Sequence, residues 1–233
     1  MKAIILAAGR GSRMLSLTDN MPKSLVLLRG KPLIEHQINA FLKAGVREII
    51  IITGYQSQYL EPWGDIRIYN PRWQNTNMVY SLMCAKDYLV KEDCLVSYSD
   101  IFFYSPIVLE LINCKSRLAI SYDPNWLDLW SRRFEFPLDD AETFKIDKND
   151  WLIEIGHKTN KIEDINGQYM GLLKFKCEFW RNYLPKIHDN LQMTHFLSNL
   201  LELKFSIKAI KNCEPWGEID SASDLKLMEK ILS

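Results

Sequence analysis

Residues 6 to 13 of this chain read Leu6-Ala7-Ala8-Gly9-Arg10-Gly11-Ser12-Arg13, and Pro22-Lys23 follows ten positions later. Two glycines here let the backbone turn sharply and pass close to something bulky. A hydroxyl (Ser12) and three cations (Arg10, Arg13, Lys23) stand just beyond. Amide N–H groups and fixed positive charge where a chain leaves an apolar strand are what a polyphosphate needs. The pattern G-x-x-x-x-G-K-[ST] is absent, which excludes a Walker-type loop. The third glycine of G-x-G-x-x-G would fall at Met14, so the dinucleotide fingerprint fails as well, and a dehydrogenase with it.

Two acids complete the chemistry. Asp100 follows the apolar run Cys94-Leu95-Val96-Ser97-Tyr98-Ser99, and Asp220 follows Trp216-Gly217-Glu218-Ile219. Carboxylates at two strand ends could grip one hard cation, its shell completed by water and phosphate oxygens. Asp220 could equally cap the last helix, and the two jobs are compatible. A helix starting near Thr76 in Asn75-Thr76-Asn77-Met78-Val79-Tyr80-Ser81-Leu82 would turn amides and short polar side chains to the ligand edge. The same stretch also reads as an amphipathic helix whose Met78, Leu82 and Ala85 face the core.

Residues 123 to 142 hold Trp126, Trp130, Arg132, Arg133, Asp139, Asp140 and Glu142. Tryptophans near acids suit a quaternary ammonium, whereas adjacent arginines suit a carboxylate or a second phosphate. The segment therefore reads as the wall of a second substrate pocket whose occupant is left open.

The elements that must position these groups follow from hydrophobic patterning. Ala3–Ala8 and Glu48–Thr53 are continuous apolar runs, the look of strands buried on both faces. Ile34, Ile38, Phe41 and Leu42 recur at helical spacing, with Gly45 as the C-terminal stop. A helix over 76–89, a strand over 95–99, a helix over 106–112 and a strand over 118–122 continue the alternation. This is the βαβ pattern of a parallel sheet with crossover helices, whose ligands sit beyond the carboxyl ends of the strands. Short alternating stretches at 143–146, 151–155 and 169–175 predict a smaller, partly antiparallel lobe over about 123–176. The chain ends in a helix over 194–203, a strand over 205–210 and a helix from Ser221 with a capping-box start at Asp224.

The 233 residues, 47% hydrophobic and 25% charged, fit one domain with an embedded lobe. Lys plus Arg equals Asp plus Glu at 29 each, which argues against a nucleic-acid footprint. No run of about 18 apolar residues predicts a membrane span. The N-terminus enters the phosphate-loop strand directly, so a cytoplasmic protein is expected. Cys84, Cys94, Cys114, Cys177 and Cys213 are odd in number and lack C-x-x-C spacing, as expected of reduced thiols rather than a disulfide framework or zinc site.

The run from Leu6 to Arg13, Pro22-Lys23-Ser24-Leu25 and Gly30-Lys31-Pro32-Leu33-Ile34 together resemble the nucleotidyltransferase signature L-A-A-G-x-G-S/T-R, about ten residues, then P-K-x-L. The segment 75–82 resembles the N-x-x-S/Y-S-L stretch of the cytidylyltransferase branch, and 218–221 its E-x-D-S. The whole chain resembles the phosphocholine cytidylyltransferase-like group of NTP-transferase-fold enzymes. That resemblance implies a Rossmann-like α/β fold, mostly parallel with flanking helices, and a small acceptor lobe. It implies transfer of CMP from CTP to a small phosphorylated acceptor with loss of pyrophosphate and with Mg²⁺. Phosphocholine is the leading acceptor; phosphoglutamine, an aminoalkylphosphonate and a sugar 1-phosphate are alternatives, as is a non-catalytic nucleotide-binding module. The products would feed decoration of surface polysaccharide or lipid.

By the same resemblance Leu6, Ala7, Ala8, Gly9, Gly11, Ser12, Arg13 and Lys23 hold the nucleotide, with Asn77, Tyr80 and Ser81 near the base. Arg13 and Lys23 clamp the triphosphate, and Asp100 and Asp220 ligate the metal. The family often has two acids around the central metal strand, and Ser97-Tyr98-Ser99-Asp100 offers one. Lys158 is implied as a phosphate-binding lysine of the second lobe. Trp126, Trp130, Arg132, Glu142 and Tyr169 are the remaining acceptor candidates, the last in Gly167-Gln168-Tyr169-Met170-Gly171, which resembles the strand beneath the acceptor.

Overall fold

The run Ile49-Ile50-Ile51-Ile52 is almost wholly withdrawn from water. Each such side chain contributes about 1.5–3 kcal/mol by burial. It forms the strand Ile49–Thr53, and beside it lies Lys2–Ala7, paired in parallel from Ala3↔Ile49 to Ala7↔Thr53. The computed structural model describes residues 1–11, 14, 17–183 and 190–233. Ser12 and Arg13, two of the expected phosphate-loop residues, lie outside the described residues.

The described strands build a seven-stranded sheet in the order Lys208–Lys211, Leu118–Asp123, Gln168–Phe175, Cys94–Tyr98, Lys2–Ala7, Ile49–Thr53, Ile66–Tyr69. Six strands run parallel, and Gln168–Phe175 runs against both its neighbours. The strand 168–175, expected in the small lobe, thus belongs to the main sheet. Its near-continuous apolar sequence is that of a strand covered on both faces. Lys174 is buried with its ammonium on the Cys114 carbonyl just past the helix Ser105–Asn113. What lies outside the main sheet here is the antiparallel hairpin Glu142–Ile146 with Leu152–Lys158.

The helix Leu33–Lys43 forms as the spacing predicts and stops at Ala44, with Gly45 following at φ +87°. The expected helix over 76–89 is two pieces, Met78–Met83 and Lys86–Leu89. Trp126–Arg133 is a helix that no periodicity announced. Among the described residues no helix is long and apolar enough to cross a membrane.

Candidate active site

Two very short strands assemble the centre. Ile101–Phe102 pairs antiparallel with Gly217–Glu218, Glu218 lying opposite Ile101, and the Ile219 amide donates to the Asp100 carbonyl at 2.9 Å. A Cβ on Gly217 would lie 2.2 Å from the Met228 sulfur, so a larger residue there would have to displace the Met228 side chain. The pairing brings Asp100, from the end of the strand Cys94–Tyr98, beside Glu218 and Asp220 from a segment over a hundred residues later. One carboxylate oxygen from each of the three lies within 4.8 Å of the others.

Asp220 does not itself cap the final helix. Ser221 does, accepting from the Asp224 amide while Asp224 accepts from the Ser221 amide, the reciprocal capping box. This turns the Asp220 carboxylate inward, onto the Lys23 ammonium. Lys23 also donates to Asp100 Oδ2 at 2.8 Å. Burial pulls the Lys23 pKa down, but the carboxylates of Asp100 and Asp220 more than offset this and raise it above its ordinary value. Lys23 stays charged.

Glu218, absent from the sequence-based candidates, is the third acid. Burial, then repulsion from Asp220 and Asp100, pushes its pKa up to about 8, with Arg133 and Lys23 opposing. The Arg133 guanidinium is itself buried. It donates to Glu218 Oε2 at 3.1 Å and Asp224 Oδ1 at 2.9 Å, and approaches Asp220 Oδ2 to 3.7 Å. It lies over the Trp130 ring at 4.6 Å from the centroid. Of the two adjacent arginines, Arg133 therefore backs the acidic cluster, while Arg132 is exposed and pairs with Asp128 one helical turn back.

This donor set fits a hard divalent cation, which prefers carboxylate oxygens. Asp100 Oδ1 is buried without a hydrogen-bond partner, an orphaned acceptor of the kind a metal satisfies.

Two cavities meet at this centre. A cavity of about 250 Å³ is lined by Leu6, Ala8, Gly9, Gly11, Lys23, Trp73, Thr76, Asn77, Met78, Ser81, Tyr98, Ser99 and Asp100. A second, of about 410 Å³, shares Asn77, Met78 and Tyr98 with it and continues past Glu142, Lys158, Tyr169, Trp216, Glu218 and Asp220. The acids thus stand where the two spaces join.

The first cavity gathers most residues expected at the nucleotide. Ala7 points into the sheet core, and Tyr80 lies on another face of its helix, beneath the Arg72 guanidinium, so neither lines it. Ser81 is held by Asn70, whose Nδ2 donates to Ser81 Oγ at 3.1 Å and whose Oδ1 accepts from the Arg72 amide. Trp73 and Asn70 gave no sequence signal beyond their neighbourhood to Asn77, whereas Thr76, expected at the ligand edge, does line the cavity. Gln37, buried on the inner side of its helix, donates to the carbonyls of Tyr98 at 2.9 Å and Ile101 at 2.6 Å, bracketing Asp100. A polar residue on an apolar helix face was its only mark.

Of the acceptor candidates, Glu142, Lys158 and Tyr169 line the second cavity. Trp126, Trp130 and Arg132 do not. The Trp126 indole donates to the Ile165 carbonyl at 3.2 Å, and that of Trp130 to Asp140 Oδ2 at 3.0 Å, both rings being buried. Apolar area and a satisfied indole N–H place them in the core behind the cavity.

Comparison with known proteins agrees with this architecture. The profile of the MobA-like NTP transferase domain matches residues 3–122. A CTP:phosphoglutamine cytidylyltransferase from Campylobacter jejuni is 39% identical, the alignment covering 97% of this chain and 98% of that one. A choline-phosphate cytidylyltransferase from Streptococcus pneumoniae is 47% identical over 42% of each chain. A solved CTP:phosphocholine cytidylyltransferase from Streptococcus pneumoniae shares the fold with TM-score 0.74 at 23% identity, covering 100% of this chain and 99% of that one.

Proposed function

Since the chain belongs to the MobA-like NTP transferase family and is a nucleotidyltransferase, we propose that it is a CTP-dependent cytidylyltransferase acting with Mg²⁺ on a small phosphorylated acceptor. An acceptor phosphate oxygen forms a bond to the α-phosphorus of CTP, the bond to the β-phosphate oxygen breaks, and pyrophosphate leaves with that electron pair. The acceptor phosphate needs no base, because a phosphate monoester is largely dianionic near neutrality.

One observation carries this reading: Lys23, Asp100, Glu218 and Asp220 converge where the glycine-lined cavity opens into the second one. CTP in the first cavity and the acceptor in the second would place the reacting phosphates at that junction. Positioning and fixed charge then supply most of the catalysis. Asp100, Glu218 and Asp220 would hold the cation, which when bound would neutralise charge on the reacting phosphates. The Lys23 ammonium would face the same phosphates, and Arg13 is the second triphosphate clamp by its motif alone. Ser81 lines the nucleotide cavity, and Met78 lines both cavities.

Among acceptors, phosphoglutamine is supported by the full-length relative and phosphocholine by a partial one. We place the reaction in the cytoplasm, where nucleoside triphosphates are supplied. The test is pyrophosphate release with each of CTP, UTP, GTP and ATP against a panel of phosphorylated acceptors, with and without Mg²⁺. The reading expects release with CTP only when Mg²⁺ and an acceptor are both present. Release that is equal for all four triphosphates, or independent of acceptor, would remove it.

A further inference from the structure

Glu142 and Lys158 stand directly opposite one another in the hairpin, and both line the second cavity. Opposite charges placed across a strand pair ordinarily join. These two do not. The Lys158 ammonium instead donates to the carbonyls of Asp139 and Asp140 at 2.9 and 3.3 Å, which leaves one of its three protons unused. The Glu142 carboxylate makes no hydrogen bond or ion pair with any described residue. One anion and one cation therefore face this space with bonding capacity to spare.

We propose that this pair reads a zwitterionic amino-acid head on the acceptor, Glu142 taking the α-ammonium and Lys158 the α-carboxylate, while the phosphate end lies toward Glu218 and Asp220. The inference rests on the cytidylyltransferase reading above and names its substrate class. A quaternary ammonium would fit less well, since it has no N–H for Glu142 and no anion for Lys158. It would also want several aromatic faces. Of the rings that line the cavity, Trp216 has one face stacked on Trp130 at 6.1 Å between centroids, and Tyr98 and Tyr169 are packed edge to face at 5.9 Å, while Trp126 and Trp130 are enclosed behind the wall.

The test uses the full-length enzyme with CTP and Mg²⁺, reading pyrophosphate release. Four acceptors are compared: phosphoglutamine, its analogue without the α-carboxylate, its analogue without the α-amine, and phosphocholine. The enzymes are wild type, Glu142→Gln and Lys158→Met. In wild type, deleting either head group should lower kcat/KM about tenfold or more, the scale of one charge-assisted hydrogen bond. Lys158→Met should show that loss with phosphoglutamine and no further loss when the carboxylate is removed. Glu142→Gln should do the same for the amine. The KM for CTP should move by less than about threefold, which separates head-group recognition from a general loss of structure.

Preference of the wild type for phosphocholine would overturn the inference while leaving the activity standing. So would equal losses for Lys158→Met on all four acceptors, which would assign Lys158 to the phosphate they share. No release with any acceptor would overturn the underlying activity itself.

Discussion

A Cβ placed on Gly11 would lie 2.8 Å from both Cβ and Cδ of Lys23, and Gly11 has φ +67°. The glycine of the loop is thus the surface against which the lysine stem rests on its way to Asp100 and Asp220. Gly11→Ala should strain the backbone by about 1–3 kcal/mol and push the Lys23 stem aside. The expected outcome is a fall of at least about tenfold in kcat/KM for CTP, measured by pyrophosphate release. Wild-type kinetics would show that the Gly11–Lys23 contact does not position the ammonium.

Lys23→Ala removes the cation that two buried carboxylates share. Turnover should fall at least about a hundredfold, the scale of one preorganised charge-stabilising contact, and Asp220→Ala should do likewise. Removing one partner of a buried ion pair also costs about 3–5 kcal/mol of stability. Chemical unfolding should therefore show a weakened Lys23→Ala protein that added Mg²⁺ restores more than it strengthens the wild type. Equal Mg²⁺ responses would mean that the acids do not repel one another.

The Glu218 carboxyl titrates at about 8 in the folded protein against 4.5 for the ordinary group. Between those values the folded state holds a proton that the unfolded chain has lost. Stability from this group is therefore fully present below about pH 4.5 and declines as pH rises toward 8. Without divalent cation, Glu218→Gln should gain on wild type through that window and hold a constant lead above it. Urea midpoints from pH 5 to pH 9 measure this; parallel curves would contradict it.

Arg133 spans Glu218 and Asp224 while covered by Trp130 and Phe134. A lysine keeps the charge but not the planar fork. Arg133→Lys should lose about 1.5–3 kcal/mol, the worth of a hydrogen bond to a charged group, and should weaken Mg²⁺-dependent turnover with it. An unchanged melting temperature would leave Arg133 as filler in the core.

The sequence made the parallel sheet legible because its strands are continuous apolar runs bounded by turns, as in Lys2–Ala7 and Ile49–Thr53. It made Lys23, Asp100 and Asp220 legible because each sits at a strand end or in a recognisable motif. Glu218 stood in the E-x-D-S stretch without a role, because a two-residue strand carries no period and only the pairing with Ile101–Phe102 turns it to Asp100. The strand Gln168–Phe175 was placed in the lobe because it was read with 143–146 and 151–155 as a short alternating stretch, and nothing local says that the Cys114 carbonyl awaits Lys174. Trp126 and Trp130 were drawn to the pocket by their type, whereas their burial depends on helix Trp126–Arg133 packing toward the last helix. Glu142 and Lys158 come together through hairpin register, which spacing alone does not fix.

The most direct measurement is the identity of the product. Mass spectrometry of a reaction holding CTP, Mg²⁺, phosphoglutamine and the enzyme should find pyrophosphate in equal amount to a compound with the mass of the acceptor plus CMP less one water. CTP left intact with every phosphorylated acceptor, or broken to CDP and phosphate, would contradict nucleotidyl transfer at the junction of Lys23, Asp100, Glu218 and Asp220.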